Sequence, residues 1–228
     1  MSLKNFIKGW LGEKLVAGGL WLGLNKRAYR RFNDVVLRAP DGTTQIDHVV
    51  ISIYGIFVIE TKNMQGWIFG DAYQDNWTQT IYRHKSRFQN PLRQNYRHTQ
   101  CLADFLELDH NLFHPVIMFI GDCELKTGVP PNVMTCGLIP YVRSIMTPIL
   151  TQEQVQDAEN RLVALRAGKR ISRAEHLKSL EIRHSATVCP KCGNELIKRV
   201  ARKGTRAGSE FLGCTAYPRC VYTAEIKA

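Results

Sequence analysis

The sequence predicts a mixed α/β domain followed by a small C-terminal domain organised by four cysteines. Over residues 1–150, apolar runs with helical or strand spacing follow the order helix, three or four strands, helix and two strands. Two close cysteine pairs then lie near the C-terminus, Cys189 with Cys192 and Cys214 with Cys220. At 228 residues, the chain can bury one core of about 150 residues and carry such an appendage.

The composition favours a polyanionic partner. Lysine and arginine number 31 against 20 acidic residues, which gives a formal net charge of +11. The most apolar stretch, 15–24, has about half the length of a membrane-spanning helix, and no signal peptide is evident. Three further cysteines are separate from the two pairs and lie in apolar surroundings, which is typical of small buried thiols: Cys101, Cys123 and Cys136. These features predict a cytoplasmic protein that binds nucleic acid and no membrane.

The first elements are a helix and a strand. Apolar residues recur at helical spacing over 4–20, and Glu13 lies beside that apolar face. Residues 33–37 predict the first strand, and a turn follows at Pro40-Asp41-Gly42. Four basic residues between these elements suit either phosphate contacts or a solvated helical face: Lys26, Arg27, Arg30 and Arg31.

Residues 45–62, QIDHVVISIYGIFVIETK, predict a β-hairpin because two β-branched runs flank Tyr54-Gly55. An even-numbered loop centred there places Lys62 opposite Asp47 and Glu60 opposite Val49. Side chains alternate between the two faces of a strand, whereas an odd loop or a bulge would split the pattern. With the even loop, one face carries the polar set Gln45, Asp47, Glu60 and Lys62.

Two acids and a lysine at one end of an apolar ribbon have two interpretations. The first is a structural ion pair between Asp47 and Lys62. The second is a metal site, because neighbouring carboxylates repel each other unless a cation lies between them, and a hard divalent ion such as Mg²⁺ takes carboxylate oxygens as ligands. Lys62 would then orient a water or balance phosphate charge, as phosphodiester hydrolysis requires.

The rest of the α/β domain continues with strands and helices. Residues 66–80 predict a further strand or hairpin, and strands are also expected at 115–122 and 132–140. Asn90-Pro91 begins a helix with Gln94 off its apolar stripe of Leu92, Tyr96, Thr99, Ala103 and Leu106. The aromatic residues Trp67, Trp77 and Tyr82 suit either base stacking or burial. Five basic residues suit a phosphate track: Arg83, Lys85, Arg87, Arg93 and Arg97.

Several ordered blocks between residues 9 and 120 resemble the nuclease-related domain (NERD), a branch of the PD-(D/E)XK nuclease superfamily. The matching blocks are Gly12-Glu13, 45–50, 55–63, Gly66 with Trp77, and NPLRQN at 90–95. The resemblance implies a nuclease-like mixed sheet flanked by helices, and nucleic-acid cleavage that depends on Mg²⁺ or Mn²⁺. It implies Asp47 and Glu60 as metal ligands and Lys62 as the catalytic lysine. Glu13 and Gln94 match accessory polar positions on two flanking helices.

The C-terminal cysteines predict a zinc site. Four thiolates give Zn²⁺ its preferred tetrahedral shell, and each short loop presents two sulfurs to one ion. A domain of this size with few large apolar side chains needs the metal in order to fold. The alternative is four reduced, unliganded cysteines. Between the pairs we expect a hairpin with strands near 195–201 and 209–213.

The tail also resembles the C-terminal zinc finger of bacterial type IA DNA topoisomerases, because CPKCG, EFLGC and YPRC stand in the matching order over 189–220. That resemblance implies binding to single-stranded DNA. Basic and aromatic residues are interleaved there, as stacking plus backbone neutralisation requires, although the aromatics also suit packing around the zinc. The candidate contacts are Lys198, Arg199, Arg202, Lys203, Phe211, Tyr217 and Arg219.

The sequence therefore predicts three parts: a nuclease-like domain over 1–150, a helical spacer over 151–184 with helices at 152–166 and 173–182, and a zinc finger over 185–228. The predicted function is metal-dependent DNA hydrolysis directed to single-stranded or branched DNA. The alternative is a non-catalytic DNA-binding protein that retains a nuclease fold. The motifs leave RNA open as a substrate.

Overall fold

A computed structural model describes residues 3–39, 42–168, 171, 174–177, 179, 189, 194–201 and 208–226, with side chains from residue 12 onward. The chain divides into two compact units, one of residues 1–35 and 45–169 and the other of residues 36–44 and 170–228. None of the described helices has the length and apolar character needed to cross a membrane.

The first unit contains most of the regular structure, and its order confirms the predicted mixed α/β class. The elements up to residue 167, of which β1 and β2 also include residues of the second unit, are α1 Leu3–Gly23, β1 Arg30–Ala39, β2 Gly42–Ser52, β3 Gly55–Asn63, β4 Gly66–Phe69, β5 Asn76–Ile81, β6 His84–Gln89, α2 Pro91–Leu106, a 3₁₀ turn His110–Leu112, β7 Phe113–Ile120, β8 Cys123–Leu125, β9 Val133–Met134, α3 Leu138–Ser144 and α4 Gln152–Ala167. Two mixed sheets have the strand orders β1-β2-β3-β7-β9 and β6-β5-β4-β8.

The β2–β3 hairpin has a two-residue turn at Ile53-Tyr54, because Ser52 pairs with Gly55 and Val49 pairs with Val58. The predicted loop centred on Tyr54-Gly55 is therefore wrong, and so are the two cross-strand pairs derived from it. Gly55 has a φ of +122°, and a Cβ there would lie 2.6 Å from a nitrogen of the His114 ring, so glycine is needed just after the turn. A register shift of two residues keeps every side chain on its predicted face.

Helix α1 packs against the β2–β3–β7 part of the larger sheet through apolar side chains, including Val16, Leu20, Phe57 and Ile59. It runs without a break to Gly23, although the sequence indicated a looser end. Arg31 donates hydrogen bonds to the carbonyls of Leu20, Trp21 and Leu24 and so satisfies the last turn of the helix. Arg30 contacts Glu159 at 2.8 Å. These two members of the basic cluster therefore have structural partners.

Helix α2 begins as predicted, with Asn90 accepting a hydrogen bond from the backbone of Leu92 and Pro91 in the first turn. Its buried stripe differs from the predicted one because Tyr96 is exposed and Asn95 is buried. The Nδ2 of Asn95 donates to the carbonyls of Val58 and Val116 at 2.9 and 3.0 Å. A buried amide thus fixes the helix to two strands, which an apolar periodicity alone does not reveal.

The strand or hairpin predicted at 66–80 is the antiparallel pair β4–β5, and β6 extends it where the sequence indicated only a basic stretch. Trp77 is fully buried and stacks on Phe119 with ring centroids 5.9 Å apart, so burial and not base stacking is its role. The predicted strand at 132–140 is also wrong beyond Met134. Gly137, with a φ of +81°, precedes helix α3 there.

Helix α4 confirms the first predicted spacer helix, and Thr151 and Gln154 form a capping box at its start. The second predicted helix, 173–182, is described only at 174–177 and 179, which are helical. In the second unit, β10 Leu196–Val200 and β11 Glu210–Cys214 confirm the predicted hairpin. A third strand that the sequence did not indicate, β12 Thr223–Glu225, pairs with β11.

Candidate functional sites

The predicted acidic pair lies where β2 and β3 leave their regular pairing. The last paired residues are His48 and Ile59, one position before Asp47 and Glu60. The backbone N–H of Thr61 donates to Asp47 Oδ2 at 2.8 Å. The carboxylate of Asp47 is thereby directed toward the strand that carries Glu60. The structure brings Asp47, Glu60 and Lys62 to one side of the sheet.

Glu60, Lys62 and Gln94 form a closed triangle of hydrogen bonds. Lys62 Nζ donates to Glu60 Oε1 at 2.6 Å and to Gln94 Oε1 at 2.8 Å. The Nε2 of Gln94 donates to the same Glu60 oxygen at 2.7 Å. The amide therefore bridges acid and amine from the neighbouring helix, and the predicted accessory position of Gln94 lies in contact with the candidate catalytic pair.

His98 completes this network and was missed by the sequence analysis. Its Nε2 lies 3.2 Å from Glu60 Oε2, the oxygen that the triangle leaves open. His98 follows Gln94 by one helical turn on α2. The spacing of four residues between two polar side chains in an otherwise half-apolar helix was the available signal, because such pairs share a face.

The two carboxylates have opposite electrostatic environments. Burial raises the pKa of Glu60, but the charge of Lys62 and the hydrogen bond from His98 outweigh it and hold that pKa at about 2. Burial also raises the pKa of Asp47 well above its usual value, and the negative charge of Glu60 raises it further. The repulsion between them is what a divalent cation would relieve, and their oxygens are the hard ligands that Mg²⁺ takes.

Glu13 approaches the same group from α1. Its side chain is half-buried, and its pKa is raised by burial first and then by the charges of Asp34 and Glu60. The charge of Glu13 also contributes to the raised pKa of Asp47. The structure thus places all five predicted active-site residues in one electrostatic group, with Glu13 and Gln94 on the two flanking helices.

Three of the four predicted zinc ligands converge in the second unit. The ligand atoms of Cys189, Cys214 and Cys220 lie within 4.8 Å of one another, and all three residues are buried. The Sγ atoms of Cys189 and Cys220 are 3.7 Å apart, and Cys214 Sγ accepts a hydrogen bond from Ala216 N–H. Cys192 lies outside the described residues. Soft sulfurs at this spacing fit Zn²⁺.

The residues of the zinc ribbon that were predicted to contact DNA have different surroundings in the structure. Lys198 pairs with Glu210 at 3.1 Å, and Arg199 donates to the carbonyl of Cys214 at 3.3 Å. Arg219 is exposed, while Arg202 and Lys203 lie outside the described residues. A hollow of about 290 Å³ has an aromatic and basic lining that includes Arg199, Phe211, Tyr217, Val221 and Tyr222. Tyr222 also packs on the cysteine cluster, which is the competing role foreseen for one aromatic.

Arg93, the candidate DNA contact in the first unit, is engaged within the protein. Its guanidinium forms an ion pair with Asp75 and donates to the carbonyl of Tyr73 at 2.6 Å. The side chain is half-exposed, and the pair lies at the surface. Contact between Arg93 and a phosphate stays a prediction.

Comparisons with known proteins agree with this division of the chain. Residues 8–120 match the family model of the nuclease-related domain, and residues 186–228 match that of the topoisomerase DNA-binding C4 zinc finger. No solved structure matches the chain.

Curated relatives match parts of the chain. An uncharacterized protein of Bacillus anthracis is 44% identical over 125 residues, which are 52% of this chain and 56% of that protein. DNA topoisomerase 1 of Methanothermobacter thermautotrophicus is 39% identical over 49 residues, and that of Methanocaldococcus jannaschii is 42% identical over 50. Each of these two topoisomerase matches covers 22% of this chain and 6% of the topoisomerase.

The fold, the two sites and the matches define a nuclease-related protein that also carries a DNA-binding zinc ribbon. Residues 8–120 form a nuclease-related domain, and residues 186–228 form a topoisomerase-type C4 zinc finger. Both resemblances inferred from the sequence are confirmed.

Proposed function

We propose that this protein is a metal-dependent nuclease that hydrolyses DNA phosphodiester bonds, and that its zinc ribbon directs it to single-stranded or branched DNA. The observation that carries the proposal is the meeting of Asp47, Glu60 and Lys62 on one side of the hairpin, where Gln94 bonds both Glu60 and Lys62. Two acids and a lysine in this arrangement are the groups that phosphodiester hydrolysis uses.

Asp47 and Glu60 would hold the metal ion. The backbone carbonyl of Thr61 is a third candidate ligand, because the N–H and C=O of a strand residue point to the same edge and this N–H already reaches Asp47. When bound, Mg²⁺ supplies positive charge that polarises the scissile phosphate and activates water.

Lys62 would hold the attacking water or stabilise the negative charge that develops on the phosphate. Gln94 keeps the amine in place, since its Oε1 accepts from Lys62 Nζ at 2.8 Å. Its Nε2 and the ring of His98 orient the two oxygens of Glu60. Glu13 adds negative charge on the opposite flank, where it would favour a cation further.

The ribbon would deliver the DNA. Arg199, Phe211 and Tyr217 line its aromatic hollow, and stacking beside a basic side chain is a mode by which single strands are bound without sequence preference. The tail relatives are DNA topoisomerases, which supports DNA over other polyanions.

The test is a cleavage assay on labelled single-stranded, duplex and forked DNA with and without Mg²⁺. Asp47→Asn keeps an oxygen that accepts from Thr61, so it should fold normally and lose the Mg²⁺-dependent cleavage. Asp104→Asn is the matched control, because Asp104 is an exposed acid elsewhere in the first unit. Equal activity of the wild type and Asp47→Asn would refute the nuclease assignment.

A non-catalytic DNA-binding role is the second candidate, and one feature favours it. Glu60 already has partners on both carboxylate oxygens, at 2.6 to 3.2 Å. Among the described residues, three metal-ligand side chains converge at the cysteines and not around Glu60. Calorimetry with Mn²⁺ separates the two candidates, because normal DNA binding without metal uptake at the first unit would support the second.

A separate experiment distinguishes DNA from RNA as the substrate. Chimeric strands with ribose at the cleavage position compare DNA with RNA directly. Cleavage that requires the 2′-hydroxyl would assign the enzyme to RNA.

A further inference from the structure

We propose that the outward face of the smaller sheet is a second binding surface for single-stranded DNA, separate from the zinc ribbon. The proposal depends on the proposed nuclease function in one respect, namely that the bound strand is the substrate of the nuclease. The surface, called here the outer face, consists of Trp67, Phe69, Thr78, Thr80, Lys85 and Arg87.

The register of three strands places these six side chains on one face. Trp67 pairs with Thr80, and Thr80 pairs with Lys85. In the next row, Thr78 lies between Phe69 and Arg87. Directly paired residues in antiparallel strands point to the same side of a sheet. The opposite side carries Ile68, Trp77 and Phe88, which pack on the core.

The outer face is open, because Trp67 is 51% exposed and Lys85 and Arg87 lie on an exposed strand. Neither the Lys85 nor the Arg87 side chain forms an ion pair or hydrogen bond with any described residue. The one acid paired with this face, Glu124, contacts Lys126 at 2.5 Å. The face is therefore cationic, with its basic groups free to meet phosphates.

Trp67 offers a stacking platform beside this charge. Lys126 Nζ lies 4.9 Å from the centre of the indole ring, which adds a cation to an aromatic surface. A second aromatic, Tyr82, is 95% exposed at the tip of the β5–β6 hairpin and has a φ of +53°. Neither side chain gains much from burial, so the fold alone gives no reason for aromatic residues at these positions.

Single-stranded DNA fits this combination better than duplex DNA does. A flat sheet with exposed aromatics binds bases through their ring faces, and interleaved basic side chains neutralise the backbone. In a duplex those ring faces are hidden by neighbouring pairs. Thr78, between Phe69 and Arg87, adds a hydroxyl group without acidic repulsion, whereas the hydroxyl of Thr80 is buried.

The position of the sheet in the chain connects the surface to the candidate active site. β4 begins three residues after the strand that carries Glu60 and Lys62 ends. Trp67 follows Lys62 by five positions, so their Cα atoms are at most about 18 Å apart. A strand bound on the outer face would therefore lie within a few nucleotides of Lys62.

The test measures binding of labelled oligothymidylate by the full zinc-loaded chain without added divalent metal, so loss of cleavage cannot affect the result. We expect Lys85→Glu with Arg87→Glu to weaken binding about tenfold or more and to reduce the salt dependence of log Kd by about 1.4, at about 0.7 per phosphate contact. Lys26→Glu with Arg27→Glu is the control, because both side chains are exposed in another region and the net charge changes equally.

Two further variants test stacking. Trp67→Ala should weaken binding about tenfold, whereas Trp67→Phe should keep the affinity within about twofold and remove the quenching of tryptophan emission by DNA. If Lys85→Glu with Arg87→Glu unfolds the sheet, the double variant Lys85→Gln with Arg87→Gln is used instead. Its control is then Lys26→Gln with Arg27→Gln.

Three results would overturn the proposal. One is equal affinity of the outer-face and control variants, as a protein-binding surface would give. Another is unchanged affinity of Trp67→Ala. The third is tighter binding of oligouridylate than of oligothymidylate, which would assign the face to RNA.

Discussion

Gln94 bridges Glu60 and Lys62, donating from Nε2 to the acid at 2.7 Å and accepting at Oε1 from the amine at 2.8 Å. A side-chain amide carries a donor nitrogen and an acceptor oxygen on one planar group, which keeps the two partners at a fixed separation. The bridge comes from α2, so packing of this helix on the sheet determines where Lys62 points. Helix packing and candidate chemistry are therefore coupled at this position.

Removal of the amine should separate metal binding from cleavage. We expect Lys62→Met to lower the Mg²⁺-dependent cleavage rate by about 100-fold, because a charge aimed at the transition state is lost. Mn²⁺ binding measured by calorimetry should persist, since Glu60 and Asp47 remain. Lys26→Met, at an exposed position, serves as the control for loss of one charge. Full cleavage by Lys62→Met would remove Lys62 from the catalytic group.

His98 should act as a positioning residue for Glu60. His98→Ala removes the partner of Glu60 Oε2 at 3.2 Å, and we expect metal affinity to fall about tenfold, as for loss of other groups that orient metal ligands. His98→Gln should restore most of that affinity because its amide can still donate. The readout is the Mn²⁺ dissociation constant beside the thermal midpoint. If both variants lose stability and neither changes metal affinity, the role of His98 is only structural.

Much of the site could be predicted from the sequence because a register error of two residues leaves every side chain on the same face of its strand. Asp47, Glu60 and Lys62 share a face under both the predicted and the observed register. The turn itself was placed wrongly because it depends on the contact between Gly55 and the His114 ring. That contact joins residues far apart in sequence, and no local pattern encodes it.

Buried polar residues that hold the site in place could not be predicted from the apolar spacing of their helix. His98 and Asn95 are polar residues in a helix whose apolar spacing indicated another buried stripe, and both are buried. Their places are set by partners on β3 and β7, namely Glu60, Val58 and Val116. Arg30 and Arg31 are a similar case, because their charge suited either phosphate contacts or a solvated helical face, whereas their partners lie within the fold.

The buried His48 should make the stability of the first unit depend on pH. Burial lowers the pKa of His48 from its usual 6.5 to about 4, despite the opposing charges of Asp34 and Glu60. As pH falls from 6.5 toward 4, His48 binds a proton in the unfolded chain but stays neutral in the folded chain. The contribution of His48 to the free energy of unfolding therefore decreases across this window, by up to about 1.4 kcal/mol for each unit of pKa difference.

His48→Gln provides the comparison for this effect, because glutamine is polar and uncharged and can still bond Asn33, the partner of His48 Nδ1 at 2.8 Å. Urea unfolding followed through tryptophan emission at several pH values gives the slope. We expect the slope of the variant to be smaller by up to one proton between pH 6.5 and 4. Identical slopes would mean that the folded protein protonates His48 normally.

Zinc removal should unfold the ribbon and leave the first unit intact. The buried cluster of the ribbon is small and consists mainly of the cysteines with Leu196, Leu212 and Tyr222, so without metal it has too little apolar burial to fold. All four tryptophans precede residue 80 in the sequence, so tryptophan emission reports only on the first unit. Chelation should therefore weaken affinity for single-stranded DNA while the emission spectrum and its urea transition stay unchanged.

Cys214→Ser tests the same point without a chelator, since it removes one buried thiolate from the group of three. The variant should bind less zinc by mass spectrometry of the native protein and should match the chelated wild type in DNA affinity. Cys136→Ser, at an exposed cysteine outside the cluster, is the matched control and should change neither measurement. A zinc-free ribbon that bound DNA with full affinity would separate DNA binding from the metal and contradict the delivery role.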